Sequence, residues 1–187
     1  MHGEMASIPL RQKGLIALKS GELVVSEDVG VPDLEDDMVL VRNKAIGLNP
    51  VDVKMVGALA TPGAIAGMDF SGEVLAIGAK ARTPTQLKVN DRVFGAVMGM
   101  NGGKNPKIGA FAEVVGAADI VLVKMPDHMS FEQGASLGSG LSTIGLALFR
   151  SLQIPGSPTA PSEKSIDILV NGGSTATGTL AIQLIKL

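Results

Sequence analysis

The segment 165–187, SIDILVNGGSTATGTLAIQLIKL, constrains the fold of this chain more than any other. The apolar run at 166–170 is typical of a buried parallel strand, and residues 171–173 (NGG) interrupt it. Ser174 and Thr175 are favourable helix N-cap residues, and apolar residues then recur at helical spacing. We therefore expect a strand, a glycine turn and the start of a helix.

This arrangement is able to hold a nucleotide pyrophosphate. Glycines let the backbone approach the phosphates, while free N–H groups and the positive end of the helix dipole attract the charge. The hydroxyls of Ser174, Thr175 and Thr177 can add hydrogen bonds to phosphate oxygens. The glycines do not form the pattern G-x-G-x-x-G, however. Taken alone, the segment fits a nucleotide site and a plain strand–helix turn equally well.

Composition excludes several classes of function. The chain has 187 residues, a net charge of −2 and no long run of charges of one sign, which argues against nucleic-acid and anionic-membrane partners. Its N-terminal sequence lacks the layout of a signal peptide, and no apolar run approaches the length of a membrane span. There is no cysteine, which fits a reducing compartment. We expect a cytoplasmic protein.

Many short strands are expected before residue 126. The apolar stretches GLIAL and ELVVSEDV flank the turn signal Ser20-Gly21, and 38–47 alternates like a longer strand. Further short strands are predicted at 67–78, 91–95, 109–115 and 120–124. Short strands separated by frequent turns are typical of a compact, partly closed β barrel.

Three helices are predicted before residue 155. Asn49-Pro50 predicts an N-cap followed by proline in the first helical turn, and Ser130 with Gln133 forms a capping box for a helix over 131–136. We expect Gly138-Ser139-Gly140 to interrupt that helix and a second, apolar helix to run over 141–152. The composition of 155–165 is that of a linker.

Five motifs, in this order, resemble those of the medium-chain dehydrogenase/reductase superfamily. They are Asn49-Pro50-x-Asp52, Gly67-x-Asp69-x-x-Gly72-x-Val74, Asp91-Arg92-Val93-x-Gly95, Gly109-Ala110-Phe111-Ala112-Glu113 and the late glycine turn. The resemblance implies an α+β, mainly β fold: a GroES-like catalytic domain over 1–154, a linker over 155–165 and the truncated start of a Rossmann domain over 166–187. Without cysteine, a zinc site of the alcohol-dehydrogenase type cannot be assembled, so we expect no metal.

A narrower resemblance is to the trans-acting enoyl reductases of fungal polyketide pathways. It is carried by the segments NPVDVKM (49–55), SFEQ (130–133), GLST (140–143) and GGSTAT (172–177). This resemblance implies an oxidoreductase of secondary metabolism that uses NADPH to reduce an α,β-double bond. The substrate is a polyketide chain tethered to a carrier domain of a partner synthase. NADPH rather than NADH is implied by the resemblance alone.

The resemblance also implies site residues. The cofactor side comprises Val51, Asp52, Val53, Lys54, Gly172, Gly173, Ser174, Thr175, Ala176 and Thr177. The substrate side comprises Ala135, Ser136, Leu137, Gly138, Ser139, Gly140, Leu141 and Ser142. Hydride transfer to an enoyl thioester leaves an enolate-like oxygen that needs hydrogen-bond donors, and Lys54 and Thr143 are donors of the right type. From the residues alone, Lys54 also fits a solvated surface lysine, and Thr143 a helical threonine bonded to its own backbone.

Two motif residues have structural interpretations. We interpret Asp69 as a turn carboxylate that caps backbone amides, and Asp91-Arg92 as a charge pair at a strand end. The chain departs from the family pattern at Gly138, where proline is expected and where glycine is expected to loosen the substrate-side turn. It also departs at Leu187, where the dinucleotide domain is expected to continue.

The short Rossmann segment allows a second hypothesis. Because one strand and one helix cannot bury both of their apolar faces, we expect 166–187 to pack back on the barrel or to self-associate with another chain. The alternative function is a non-redox partner-binding module, or an isomerase, on a degenerate reductase fold.

Overall fold

The computed structural model describes residues 8–81, 87–100 and 105–187. Contacts divide the chain into two compact units, with the division between Gly138 and Ser139. Each unit is described by itself below. The predicted domain boundary at residue 154 stays a prediction.

The first unit begins with a β-hairpin. β1 (Arg11–Ala17) pairs with β2 (Leu23–Gly30) in antiparallel register. Gly21 closes the turn with a φ of +85°, a conformation that glycine adopts at little cost. The predicted pair of strands around Ser20-Gly21 is confirmed.

A five-stranded antiparallel sheet with the order β6-β3-β4-β5-β7 forms the rest of the first unit. Its strands are β3 (Met38–Gly47), β4 (Asp69–Ile77), β5 (Arg92–Ala96), β6 (Val114–Ala118) and β7 (Leu122–Lys124). The core lies on this sheet and includes the fully buried side chains of Val39, Val41, Phe70, Val74, Val93 and Val115. In the part of the chain that the structure describes, the sheet is open. The predicted mainly β architecture is confirmed, although the sheet of the described residues does not close into a barrel.

The predicted strand 109–115 is shorter than expected. Its first part bonds to the loop at 65–67, where the N–H groups of Ala110 and Phe111 donate to the carbonyls of Gly67 and Ala66. It also bonds to β1, since the Phe111 carbonyl accepts from Leu15 N–H and Glu113 N–H donates to the Lys13 carbonyl. Only Val114 and the residues after it enter the sheet. The stretch 120–124 likewise starts inside a 3₁₀ turn (Asp119–Val121) before β7 begins.

Two short helices flank the sheet. α1 is Pro50–Lys54 and α2 is Phe131–Ala135. The capping box of α2 is confirmed: Gln133 N–H donates to Ser130 Oγ at 3.2 Å, and Ser130 N–H donates to Gln133 Oε1 at 2.9 Å.

The next helix begins earlier than the sequence suggests. α3 spans Gly138–Gly145, so the predicted interruption at Gly138-Ser139-Gly140 is wrong, and the break falls instead at 136–137. A π-helical turn, Leu146–Ser151, continues from α3. The second unit ends with α4 (Ala176–Ile185).

The predicted strand at 166–170 is not formed. These residues belong to neither sheet, and Leu169 is 95% exposed. A strand needs a hydrogen-bonded neighbour, and the described residues of this chain supply none here. Self-association of this segment stays a prediction. Among the described residues, no helix is long and apolar enough to cross a membrane.

Candidate functional site

The predicted cofactor segment 51–54 forms a capped turn of helix. Asn49 precedes α1 in an extended conformation, Pro50 begins the helix, and Asn49 N–H donates to the Asp52 carboxylate at 2.7 Å. Lys54 is exposed at the C-terminal end of α1, where a cation interacts favourably with the helix dipole. The N-cap and the proline position predicted from the sequence are confirmed.

The Asp52 carboxylate sits in an unusual electrostatic environment. Burial raises its pKa above the ordinary value, and the nearby charge of Asp69 raises it further. The hydrogen bond from Asn49 N–H opposes both effects by stabilising the ionised form. The first turn of α1 therefore contains a half-buried carboxyl group whose ionised form is disfavoured.

Asp69 links α1 to the sheet. It begins β4, lies opposite Gly47 of β3 and Ala96 of β5, and is only 2% exposed. Asn49 Nδ2 donates to Asp69 Oδ2 at 2.8 Å. The interpretation as a carboxylate that caps backbone amides did not include this side-chain partner, which lies 20 residues earlier in the chain.

The first part of the predicted substrate segment packs against the same strand ends. A Cβ on Gly47 would lie 2.3 Å from the carbonyl oxygen of Ala135, and a Cβ on Gly138 would lie 2.3 Å from that of Gly95. Ala135 and Gly138 are buried, whereas Ser136 is exposed. Gly138 therefore allows close packing, and the expectation that glycine loosens this turn is wrong.

Arg92 holds the turn that precedes α2. Its guanidinium donates to the carbonyls of Pro126, Asp127 and Met129, and lies 4.5 Å from the centroid of the Phe131 ring. The predicted charge pair with Asp91 is wrong, since Asp91 pairs with Lys124 at 2.7 Å. Sequence analysis missed the positioning role of Arg92, because its partners are backbone carbonyls more than 30 residues away.

The remaining substrate-side residues lie on α3 in the second unit. Ser139, Gly140 and Leu141 are half-buried, whereas Ser142 and Thr143 are exposed. A Cβ on Gly140 would lie 2.6 Å from Cδ1 of Leu180 on α4. The absence of a side chain at residue 140 therefore lets α3 and α4 approach each other within this unit.

The glycine turn before α4 has the geometry of a helix entry. Gly172 adopts a φ of +79°, and a Cβ on Gly178 would lie 2.2 Å from the Gly172 carbonyl oxygen. Thr175 Oγ1 accepts from Gly178 N–H at 3.0 Å and donates to the Gly172 carbonyl at 2.8 Å. Thr175 is therefore the N-cap, as predicted, and its hydroxyl is already engaged.

Small side chains surround this helix entry. Ser174, Thr175 and Ala176 are exposed, and Thr177 is half-buried. The first N–H groups of a helix have no partner within the helix, apart from the one that Thr175 caps here. N–H groups of this kind are able to bind a phosphate group, and the cofactor role of 172–177 stays a prediction. Among the described residues, no group of three or more His, Cys, Asp or Glu side chains is arranged to hold a metal ion.

Known proteins with a similar sequence and a similar fold are found by comparison. Residues 35–127 match the alcohol dehydrogenase GroES-like domain. A quinone oxidoreductase from Pseudomonas syringae is 29% identical with a TM-score of 0.66, over 92% of this chain and 49% of that protein. An alcohol dehydrogenase superfamily protein from Novosphingobium aromaticivorans is 25% identical with a TM-score of 0.74, over 94% of this chain and 50% of that protein.

The chain belongs to the medium-chain dehydrogenase/reductase superfamily. Within this superfamily it is similar to trans-enoyl reductase FSL5 of Gibberella zeae, at 55% identity over 98% of this chain and 51% of the relative. Trans-enoyl reductase caaB of Aspergillus niger is 50% identical over 96% of this chain and 50% of the relative. The resemblance to fungal trans-enoyl reductases is confirmed, and the chain spans about half the length of these relatives.

Proposed function

We propose that this chain is part of an NADPH-dependent, trans-acting enoyl reductase. The substrate is the α,β-double bond of a polyketide intermediate tethered to a carrier domain of a partner synthase, and the reaction takes place in the cytoplasm. The observation that carries the proposal is the 55% identity over nearly the whole chain to a protein named as a trans-enoyl reductase. The domain division at 154 and 166 is part of the same proposal.

The geometry of α1 supports a catalytic role for Lys54. Its ammonium group is exposed at the end of a helix whose start is fixed by Asn49 and Asp52. NADPH, when bound, supplies the hydride, and the negative charge that then develops falls on the thioester oxygen. Lys54 donates a hydrogen bond to that oxygen. For Thr143, the donor role rests on the resemblance.

The helix entry of α4 supports a cofactor role for 172–177. Gly178 lets the Gly172 carbonyl approach the start of α4 closely, and the N-terminus of α4 presents N–H groups and a positive dipole end. The choice of NADPH rests on the resemblance. A quinone oxidoreductase from Escherichia coli, solved in complex with NADPH, shares this fold with a TM-score of 0.56 over 79% of this chain and 42% of that protein.

Titration of the purified chain with NADPH, by calorimetry and by fluorescence of the reduced cofactor, tests this proposal. We expect saturable binding that Lys54→Ala weakens by about tenfold, because the resemblance also places Lys54 on the cofactor side and a charged hydrogen-bond donor is lost there. Thr175→Ala should weaken binding by several-fold, because the helix entry loses its N-cap.

Lys88→Ala is the matched control. Lys88 is an exposed lysine of the first unit outside the predicted site, so its removal should leave the affinity unchanged. Absence of saturable binding at millimolar NADPH would contradict the cofactor proposal and favour the partner-binding module. Equal weakening by Lys54→Ala and Lys88→Ala would show that only overall charge matters.

A further inference from the structure

One buried carboxylate of the first unit contacts both segments that the proposed function uses there. Asp69 Oδ2 accepts the hydrogen bond from Asn49 Nδ2, and Oδ1 lies 2.9 Å from where a Cβ on Gly138 would be. We infer that Asp69 is a positioning residue of the proposed reductase: it fixes the helix that carries Lys54 and supports the start of the substrate-side segment. This inference rests on the proposed function.

α1 needs such an anchor because it has little packing of its own. It is five residues long and buries none of them, and Val53 is 76% exposed. Short helices are marginally stable in water and take their order from tertiary contacts. The direction of α1, and hence the position of Lys54, therefore depends on how Asn49 is held.

Asn49 is held by two carboxylates at once. Its backbone N–H donates to Asp52 at 2.7 Å, and its side-chain amide donates to Asp69 at 2.8 Å. The first bond closes the turn of α1 on itself, whereas the second ties that turn to the start of β4. Of these two bonds, the one to Asp69 is the one that joins α1 to the sheet.

The same carboxylate lies under the substrate-side segment. A Cβ on Gly47 would lie 3.0 Å from Asp69 Cβ and 2.3 Å from the Ala135 carbonyl oxygen, so these groups are in close contact. Displacement of Asp69 would therefore change the packing of Ala135 and Gly138 as well as the hydrogen bond of Asn49. An apolar residue would fill this space, but it would leave the Asn49 amide without its acceptor.

A double-mutant cycle between Asn49→Ala and Asp69→Ala tests the link. In amide exchange spectra we expect Asp69→Ala to speed exchange of the Met55 N–H, which donates to Val51 within α1, by about tenfold. The double variant should be no faster than either single variant, because both changes remove the same bond. Asp69→Asn keeps an acceptor for the Asn49 amide and should restore slow exchange.

Asp119→Ala is the matched control, since Asp119 is also buried, at 5% exposure, but lies on the 3₁₀ turn before β7. At equal global stability it should leave exchange within α1 unchanged. Equal acceleration by Asp119→Ala, or multiplied effects in the double variant, would overturn the inference, because Asp69 would then act through general stability alone.

A second measurement compares the NADPH affinity of the same variants. We expect Asp69→Ala to weaken binding by about tenfold, and Asp69→Asn and Asp119→Ala by less than threefold. If the unmodified chain binds no NADPH, the proposed function fails, but the exchange data still show whether Asp69 holds α1 in place. If the chain binds NADPH and Asp69→Ala leaves the affinity unchanged, the positioning role fails while the proposed function stands.

Discussion

The guanidinium of Arg92 lies over the ring of Phe131, 4.5 Å from its centroid, while its N–H groups hold the carbonyls of Pro126, Asp127 and Met129. Arg92 is the first residue of β5, and Phe131 is the first residue of α2. One side chain therefore fixes the turn that leads into the substrate-side segment.

Replacement of Arg92 by lysine should destabilise the first unit by about 1–3 kcal/mol, because lysine cannot reproduce the planar fork or the stacking on the ring. Urea unfolding measures this change. Arg42→Lys, at an exposed position of β3, is the control and should change stability by less than about 0.5 kcal/mol. Equal stability of the two variants would show that the Arg92 contacts contribute nothing.

Gly138 should not tolerate the proline that the family pattern suggests. Proline suits the first position of a helix, but its Cβ would meet the Gly95 carbonyl oxygen at 2.3 Å. We expect Gly138→Pro and Gly138→Ala to lower the free energy of unfolding by about 1–3 kcal/mol. Gly14→Ala, whose new Cβ would have no neighbour nearer than 3.5 Å, should change it little. A stabilising effect of either Gly138 variant would contradict this packing.

The ionisation of Asp52 should make the free energy of unfolding of the chain decrease as pH rises. Its pKa is raised on folding from the ordinary value of 3.8, mainly by burial, so the folded chain holds the proton more tightly than the unfolded chain. The contribution of Asp52 to stability is therefore full below that ordinary value and is lost as pH rises through the raised pKa. Asp52→Asn keeps an acceptor for the Asn49 N–H and removes the charge.

The stability of Asp52→Asn relative to the unmodified chain should therefore increase between about pH 3 and pH 7. Chemical unfolding at a series of pH values measures it. High salt should leave most of this pH dependence in place, because burial is its main cause and the smaller cause, the charge of Asp69, is buried and therefore screened little. A slope of the opposite sign would show that ionised Asp52 is stabilised in the folded chain.

The N-cap of α4 should be replaceable by serine and not by alanine. Thr175→Ala removes the acceptor for Gly178 N–H and should cost the helix about 1 kcal/mol. Amide exchange along α4 detects this local loss. Thr175→Ser keeps the hydroxyl and should retain most of the protection. If serine and alanine have the same effect, the threonine methyl group rather than the cap stabilises the helix entry.

Local chemistry allowed much of this structure to be predicted. The bounds of β3 follow from its alternating pattern, and the starts of α1 and α2 follow from Asn49-Pro50 and from the Ser130–Gln133 capping box. In each of these cases, the residues that decide the structure are neighbours in the sequence. The same holds for Thr175 at the start of α4.

Contacts between distant residues could not be predicted in this way. The run 166–170 has the composition of a strand, but a strand forms only where another strand pairs with it. The bond from Asn49 to Asp69 and the bonds from Arg92 to the turn before α2 likewise depend on how the chain folds back. Sequence patterns identify the residues and leave their partners open.

The most direct test of the central claim is NADPH consumption with an α,β-unsaturated acyl thioester, measured on the natural gene product that carries residues 1–187. We predict reduction of the double bond, with kcat about 100-fold lower in Lys54→Met and unchanged in Lys88→Met, since one donor to a developing oxyanion has an effect of about this size. Absence of NADPH oxidation with thioesters of every chain length, or equal rates for the two variants, would contradict the assignment of this chain to enoyl reduction through Lys54.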